Sequence, residues 1–381
     1  MLDYFIDCHP RENGDPCFCL DSRLRGNDTN QPYTNMSILY YTIHTMFFRK
    51  KIGIDLGTAN TLVYIAGEGI VLNEPTVVAY SIEDKKILAV GEDAREMLGR
   101  TPGSIVASRP MKEGVIADYT TTSAMITYFL KKGLKGGIFW PEVMISIPGG
   151  SSQVEKRAVV AACKQAGASD VYLIEEPLAA AIGAKLPISQ ASGQMIVNIG
   201  GGTTEIAVIS LGQLVVYKTV RVAGTKLDEA VMTELRKKHN MIIGERTAED
   251  IKIKIGNAYI PEKSETAERK MEVKGRDFQS GLPKIYEIGE KDVNLALTKP
   301  LKAILDGIKE VLSQTPPELA ADIVDKGIVL SGGTALLINI DRYITYYTGV
   351  SSFVVDDPLF CVIRGVGMAI ENLDSFKEAI R

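Results

Sequence analysis

Apolar residues alternate with small or polar ones where the regular pattern of the chain begins, just after Lys51. Ile52, Ile54 and Leu56 occupy every second position, which predicts a strand. A second apolar run begins at Thr61, after the short segment 57–60, so the pattern predicts two antiparallel strands joined by a tight turn. Beyond this point strands and helical stretches alternate, which is typical of an α/β fold.

This strand–turn–strand arrangement occurs a second time. An apolar run that ends at Ile199 enters the glycine-rich segment 200–204, and another run begins at Glu205. Asn198 in the second copy follows Asp55 in the first by 143 positions. Because a repeat over this distance has the size of a domain, we predict two related halves that face each other.

The periodicity and the end signals predict four helices near these turns. They run from Gln153 to about Ala166, from Pro177 to Gly183, from Thr247 to about Ala258 and from Asp292 to Ser313. Gly167 is a typical residue after a helix end, Pro177 is a favoured first residue, and Thr247 is a typical N-cap. The polar, charge-mixed segment 261–290 predicts an exposed subdomain with hairpins.

The composition is close to that of an average globular protein and excludes several classes. The chain has 381 residues, too many for one ordinary domain, and 45% of them are hydrophobic. A formal net charge of −4 argues against a general nucleic-acid binder, so we expect no nucleic-acid partner. No apolar run is long enough to span a bilayer. The chain has three histidines, which are scattered in the sequence, and this argues against a zinc site or a Ser-His-Asp triad. Five cysteines, an odd number, favour a reducing, cytoplasmic location.

The first 48 residues differ from the rest. Residues 8–32 are polar, rich in turn formers and without a period, so we expect a disordered extension. The start of the chain lacks the basic residues and the long apolar stretch of a secretory signal. Residues 36–48 are apolar but too short to cross a membrane. They are either a surface-lying segment or sequence upstream of the true start, for which Met46 is a natural position.

The glycine-rich turns are the first candidates for chemistry. A backbone that approaches a phosphate needs residues without a Cβ and N–H groups that point into one concavity. The segments 57–60 and 200–204 each place such residues at a predicted hairpin tip. A single glycine-rich turn of this kind more often has only a structural role. Two such turns, each preceded by Asp or Asn two positions before its first glycine, form a rarer combination. A P-loop enzyme is disfavoured, because the sequence contains no G-x-x-x-x-G-K-[ST] segment.

A third glycine element follows a predicted buried strand at residues 327–331. Gly332, Gly333, Thr334 and Ala335 then lead into a predicted helix start. Flat backbone of this kind lets a purine or a phosphate lie against a helix N-terminus. A close strand-to-helix turn without a ligand is an equally good interpretation of these residues alone.

Together these motifs resemble those of a known superfamily. Segments 52–58, 174–181, 198–205 and 330–334 resemble the phosphate-1, connect-1, phosphate-2 and adenosine motifs of the actin/heat-shock chaperone/sugar kinase superfamily. Within it, segments 57–64, 115–119 and 244–249 are similar to the MreB family of bacterial actins, which determine rod shape. The resemblance covers residues 46–375. It implies an actin-like ATPase fold, in which two related ribonuclease-H-like lobes enclose a nucleotide cleft and each carries a small inserted subdomain.

The resemblance also implies limits for these units. Lobe I would comprise residues 49–79, 116–190 and 350–381, with residues 80–115 as its small subdomain. Lobe II would comprise residues 191–228 and 290–349, with residues 229–289 as its small subdomain.

Residue by residue, the resemblance implies a site for ATP, or alternatively GTP, together with Mg²⁺. One phosphate-binding turn would be Gly57, Thr58, Ala59 and Asn60, and the opposite one Gly200, Gly201, Gly202 and Thr203. Ribose and adenine would lie between Glu249 and Lys252 on one side and Gly332, Gly333, Thr334 and Ala335 on the other. Asp55 would hold Mg²⁺ through water. Glu176 would orient the attacking water, with Thr203 beside it and Glu175 as the less favoured candidate.

Two positions depart from the pattern of the superfamily. Asn198 replaces the usual Asp, which removes a negative charge that would face metal-bound water. Thr334 replaces the usual Gly and adds a β-branched side chain beside the adenosine. We therefore expect nucleotide binding to be retained and Mg²⁺-dependent hydrolysis to be weakened.

A short loop is a candidate for membrane contact. Ile138, Phe139 and Trp140 follow three lysines within ten residues, so apolar side chains could enter the lipid interface while the lysines meet anionic headgroups. The MreB resemblance implies a membrane loop in the same place. A loop folded onto its own core is the alternative.

The leading hypothesis is a filament-forming ATPase, whose principal partner is a second copy of itself. The resemblance implies a position at the inner face of the cytoplasmic membrane, with membrane morphogenesis and wall-synthesis proteins as partners. A small-molecule kinase on the same fold and a non-hydrolysing scaffold or segregation filament remain open. A chaperone-type ATPase is disfavoured, because no peptide-binding domain is expected after the second lobe.

Overall fold

The computed structural model describes residues 49–116, 118–134, 140–261 and 268–376. The predicted N-terminal extension, and Ile138 and Phe139 of the candidate membrane loop, lie outside the described residues. Among the helices that are described, none is both long enough and apolar enough to cross a membrane.

The order of elements along the chain is mixed α/β. The strands are β1 Lys51–Leu56, β2 Asn60–Ile65, β3 Gly69–Pro75, β4 Val78–Ser81, β5 Ile87–Val90, β6 Ile105–Ser108, β7 Met111–Lys112, β8 Val115–Ile116, β9 Glu142–Ile147, β10 Asp170–Glu175, β11 Gln194–Ile199, β12 Thr204–Ser210, β13 Gln213–Val220, β14 Met241–Ile242, β15 Lys270–Asp277, β16 Pro283–Gly289, β17 Ile328–Ser331 and β18 Ser352–Val354. The helices are α1 Glu92–Met97, α2 Tyr119–Gly133, α3 Gln153–Gln165, α4 Glu176–Gly183, α5 Gly224–His239, α6 Glu245–Ile255, α7 Glu290–Gln314, α8 Pro317–Lys326, α9 Ile340–Thr348 and α10 Cys361–Glu371. Two short 3-10 helices cover Gly333–Leu336 and Pro358–Phe360.

Two five-stranded sheets with the same topology form the centres of lobes I and II. The sheet of lobe I has the order β10-β9-β1-β2-β3, and that of lobe II has the order β18-β17-β11-β12-β13. In each sheet, the central strand pairs in parallel with its neighbour on one side and antiparallel with its neighbour on the other. The structure therefore confirms the two related halves that the repeat predicts.

Helices α4 and α10 lie between the two sheets and join the lobes. One apolar cluster contains Leu62 and Met144 of lobe I, Ile196 and Ala207 of lobe II, and most of the buried residues of these helices. The two helices cross so closely that a Cβ placed on Gly365 would lie 1.8 Å from the carbonyl oxygen of Ala179. Such a crossing requires glycine.

Each lobe carries a smaller sheet, as the resemblance implies. In lobe I, β5, β4 and β6 form a three-stranded sheet against α1, and β7 pairs with β8. In lobe II, β14, β15 and β16 form a second three-stranded sheet that packs against α6. The β15–β16 hairpin confirms the hairpin predicted within residues 261–290.

Several boundaries differ from the predictions. Helix α6 begins at Glu245 with Gly244 as its N-cap, so Thr247 lies in the first turn and is not the cap. Helix α7 begins at Glu290 and ends at Gln314, so the long helix includes the predicted range. The turn after β17 continues as a 3-10 helix at Gly333–Leu336 and not as the start of an α-helix.

The return of the chain to lobe I also differs from the predicted limit at residue 350. Strand β18 pairs with β17 in the sheet of lobe II, because Ile328 to Leu330 offer it a free edge. The chain enters lobe I only with α10, which packs on α4 and β1. The other limits of the four subdomains remain predictions.

Candidate functional site

The two predicted hairpin tips face each other at the base of the cleft between the lobes. Strands β1 and β2 pair up to Leu56 and Thr61, and β11 and β12 pair up to Ile199 and Thr204, so each tip has four residues. The tips are in contact. A Cβ placed on Gly201 would lie 2.6 Å from the Cβ of Ala59.

Glycine is required at these tips because of this contact. A Cβ placed on Gly202 would lie 2.4 Å from the Thr58 hydroxyl oxygen, closer than side chains approach one another. The backbone of lobe II can therefore reach the tip of lobe I only without side chains at positions 201 and 202. The glycine-rich composition thus follows from close approach rather than from turn geometry.

The tips also present unpaired backbone donors to the cleft. Within the described part of the chain, the N–H groups of Thr58, Ala59, Gly201 and Gly202 donate to no backbone or side-chain acceptor. All four residues line the cavity between the lobes. Successive N–H groups that converge on one concavity form a typical site for an anion such as phosphate.

This cavity has a volume of about 400 Å³, which lies in the range of small-molecule sites. It is lined by every predicted site residue except Ala335 and the less favoured candidate Glu175. Ala335 is instead buried in the apolar core of lobe II, because the 3-10 turn directs its methyl group inward. Ala335 therefore does not line the cavity, while Gly332, Gly333 and Thr334 do.

Acidic groups lie at the deep end of the cavity. Asp55 and Glu176 are only half-buried by area because they face the cavity, but they lie far below the molecular surface. This desolvation raises the pKa of Asp55 to about 6, although the Ser146 hydroxyl donates to Asp55 Oδ1 at 2.7 Å and opposes the shift. Desolvation, and then the charges of Glu205 and Asp55, raise the pKa of Glu176 well above its ordinary value.

These groups fit a hard cation that is completed by phosphate oxygens. The described residues contain no group of three or more His, Cys, Asp or Glu side chains that could hold a metal on their own. Mg²⁺ is commonly bound by one or two carboxylates together with water and phosphate. Asp55, with a raised pKa and one oxygen free of Ser146, has the chemistry of such a ligand, since a cation would restore its ionised form.

Sequence reasoning missed Glu205, which is buried behind Glu176. Burial raises the pKa of Glu205 to about 7, against the hydrogen bonds that Thr219 and the Gly149 N–H donate to its Oε2. Its Oε1 is buried without a hydrogen-bond partner among the described residues. The signal was an acidic residue in the buried strand β12, directly before its apolar run 206–209. Glu175, the less favoured candidate for catalysis, instead lies 3.6 Å from the ammonium group of Lys156 and does not line the cavity.

The two departures from the superfamily pattern have clear surroundings. Asn198 is buried, and its Oδ1 accepts a hydrogen bond from the Ser331 hydroxyl at 3.1 Å. The hydroxyl of Thr334 donates to the carbonyl oxygen of Gly200 at 2.7 Å. Thr334 thus ties the third glycine element to the tip of lobe II.

Charged side chains face each other at the outer end of the cavity. Lys252 Nζ lies 2.8 Å from Asp228 Oδ1, and both side chains are largely buried. The Arg95 guanidinium of lobe I donates to Glu249 Oε2 of lobe II at 3.0 Å, across the cleft. Burial raises the pKa of Asp228 to about 6, although Lys252 opposes this shift. Asp228 and Arg95 were not predicted, because only the tertiary structure brings α5 and α1 to α6.

Trp140 is the described residue of the candidate membrane loop, and 73% of its surface is exposed. It directly precedes Pro141 and β9, at the end of the lobe I sheet opposite the cavity. The side chain therefore does not fold onto the core, in contrast to the alternative interpretation of this loop.

Comparison with known proteins gives consistent matches. The model of a family described as MreB/Mbl protein matches residues 49–378. The cell shape-determining protein MreB of Escherichia coli K12 is 48% identical over 333 residues, which cover 86% of this chain and 95% of the relative. The crystal structure of MreB5 of Spiroplasma citri bound to ADP has a TM-score of 0.81 and 36% identity, over 87% of this chain and 99% of that one. The structure of the same protein bound to AMPPNP has a TM-score of 0.82 and 36% identity, over 87% and 98% of the two chains.

Proposed function

The chain belongs to the MreB/Mbl family, and on this premise we propose that it is a nucleotide-dependent, filament-forming bacterial actin that determines cell shape. The observation that carries this proposal is the cavity between the two glycine tips, with its four unpaired N–H groups. MreB5 of Spiroplasma citri, which shares the fold, is described as bound to ADP and to AMPPNP. We accordingly expect the ligand of this chain to be ATP, with GTP as the alternative.

The tips bind the phosphates and the outer residues bind the nucleoside in this proposal. The N–H groups of Thr58, Ala59, Gly201 and Gly202 donate to phosphate oxygens. Glu249 and Lys252 flank the ribose and the base, and Gly332 and Gly333 offer a flat surface to the base. Binding from both sides favours the closed arrangement of the lobes, because the ligand contacts both tips only when they face each other.

Hydrolysis uses the deep end of the cavity. Asp55 would hold Mg²⁺ through water, and the bound ion would neutralise phosphate charge in the transition state. Glu176 orients the attacking water and accepts its proton, for which a raised pKa is suitable. Thr203 lies on the opposite tip and closes the space around the terminal phosphate.

The product of this cycle is an assembly of identical chains. The closed arrangement polymerises, and hydrolysis or nucleotide exchange reverses it. Electron microscopy and light scattering of the purified chain with ATP, with ADP and without nucleotide test this. We expect filaments with ATP. Absence of both nucleotide binding and filaments would refute the proposal, whereas phosphate transfer to sugars in a coupled assay would identify a kinase instead.

We further propose that filaments form at the inner face of the cytoplasmic membrane. The exposed Trp140, together with Ile138, Phe139 and the lysines before them, supports this position. Membrane morphogenesis and wall-synthesis proteins are the partners expected there.

Liposome co-sedimentation with anionic vesicles tests the membrane contact. The double variant Phe139→Ser/Trp140→Ser should lose most of its vesicle binding. Leu282→Ser is the matched control, because Leu282 is similarly exposed but lies on the β15–β16 hairpin of lobe II. Equal binding of the double variant and the wild type would refute insertion of this loop.

A second candidate is a filament that binds ATP without hydrolysing it efficiently. Asn198 favours this candidate, because an amide beside Ser331 carries no charge toward metal-bound water. Phosphate release by wild type and Asn198→Asp distinguishes the two. A faster Asn198→Asp variant supports weakened hydrolysis, and equal rates contradict it.

A further inference from the structure

Three basic side chains line the cavity within the described part of the chain, and two of them are already neutralised. Lys252 is paired with Asp228 at 2.8 Å, and Arg95 is paired with Glu249 at 3.0 Å. The third is Arg109, which has no carboxylate within ion-pair distance among the described residues.

The guanidinium of Arg109 is also poorly hydrogen-bonded. Its Nε is buried and meets no acceptor in the described structure. Its Nη1 donates only a long bond of 3.4 Å to the carbonyl oxygen of Ala59. Asp228, whose ion pair is with Lys252, is near enough for its charge to interact with Arg109 but forms no ion pair with it. A permanent charge that is partly removed from water and has no ion-paired carboxylate of its own is poorly compensated, so its position favours an additional anionic partner.

The location of Arg109 indicates which part of the ligand is that partner. Arg109 precedes the β7–β8 hairpin, whose turn lies against both phosphate tips. The Gly114 N–H donates to the Thr58 hydroxyl at 3.2 Å, and a Cβ placed on Gly114 would lie 2.9 Å from Thr203 Cγ2. The bond to Ala59 places the guanidinium beside the same tip.

We propose that Arg109 binds the polyphosphate of the nucleotide and so distinguishes a nucleotide from a nucleoside. This inference rests on the proposed nucleotide site and adds one residue to it. Guanidinium groups are suited to this role because their planar, fixed donors match phosphate oxygens and their charge is permanent. The N–H groups of the tips fix the direction of the phosphates, and Arg109 provides charge that they lack.

Isothermal titration of the full chain with AMPPNP, ADP and adenosine tests the proposal. Arg109→Gln should lower the affinity for AMPPNP and for ADP at least tenfold and change the affinity for adenosine by less than twofold. Arg109→Lys should recover part of the loss, because it keeps the charge without the planar donors. Arg100→Ala is the control, since Arg100 is an exposed arginine in the same small subdomain and does not line the cavity.

The possible results separate the two proposals. Equal weakening of all three ligands would identify Arg109 as a structural residue and overturn the inference, as would unchanged nucleotide affinity. Failure of the wild type to bind any nucleotide would instead overturn the proposed function. If Arg109→Gln does not fold, as judged by circular dichroism, Arg109→Lys alone decides, since it should weaken the two nucleotides selectively.

Discussion

The contact between the two glycine tips can be tested with a single methyl group. Gly201→Ala adds a Cβ that would lie 2.6 Å from the Cβ of Ala59 and 3.1 Å from its backbone nitrogen. The backbone of Gly201 is not in the left-handed region that disfavours alanine. The substitution therefore acts through the space around the tips rather than through backbone strain.

The size of the effect follows from this distance. Ordinary contacts of a Cβ lie at 3.4–4 Å, so the tips must separate by roughly 1 Å. Overpacking of one methyl group in a close-packed contact costs about 1–3 kcal/mol. If the closed arrangement is the one that binds nucleotide, the dissociation constant should rise about 5- to 140-fold.

Titration with a fluorescent ATP analogue measures this change directly. Gly103→Ala is the matched control, because a Cβ at Gly103 has no heavy atom within 4 Å and the backbone is not left-handed. An affinity of Gly201→Ala within twofold of the wild type, with a folded circular dichroism spectrum, would show that the tips do not meet in the binding state.

Three further predictions concern stability. The pKa of Glu205 is about 7 in the folded chain, against an ordinary value of 4.5. Its ionisation therefore disfavours the folded chain as the pH rises between these values. In urea unfolding, Glu205→Gln should raise the free energy of unfolding, relative to the wild type, by about 2 kcal/mol more at pH 8 than at pH 5. Gly365→Ala should lower the free energy of unfolding by about 3 kcal/mol or more, because the new methyl group would lie 1.8 Å from the Ala179 carbonyl oxygen, and thermal unfolding measures this. Ser152→Ala should lower the free energy of unfolding, measured in urea, by about 1 kcal/mol, because it removes the capping box that Ser152 and Glu155 form at the start of α3.

Each of these predictions has its own control and its own contradicting result. A stabilisation by Glu205→Gln that is equal at both pH values would show that Glu205 does not titrate in this range. An unfolding temperature of Gly365→Ala equal to that of Gly103→Ala would contradict the close crossing of α4 and α10. Ser152→Thr keeps the capping oxygen and should remain close to the wild type, so an equal loss in both variants would contradict the cap.

The repeat in the sequence determined the central architecture. Glycine turns with the same spacing from Asp55 and Asn198 predicted paired hairpin tips, and local rules are sufficient for this because the strands and the turn between them are contiguous. The same is true of α3 and α4, whose cap and first-turn proline are visible in the sequence. Of the site residues that the motif resemblance implied, all but Ala335 and the less favoured candidate Glu175 line the cavity.

Only the tertiary structure decided which charges meet in the cleft. Arg95, Arg109 and Asp228 come from segments that are distant in sequence, and no local pattern distinguishes them from ordinary surface charges. The burial of Ala335 is also a tertiary feature, since the 3-10 turn directs its side chain into the core although the neighbouring residues of the motif reach the cavity. Glu205 likewise acquires a shifted pKa only because folding buries it beside Glu176. Sequence patterns report local geometry, whereas burial and the pairing of charges depend on which segments the fold brings together.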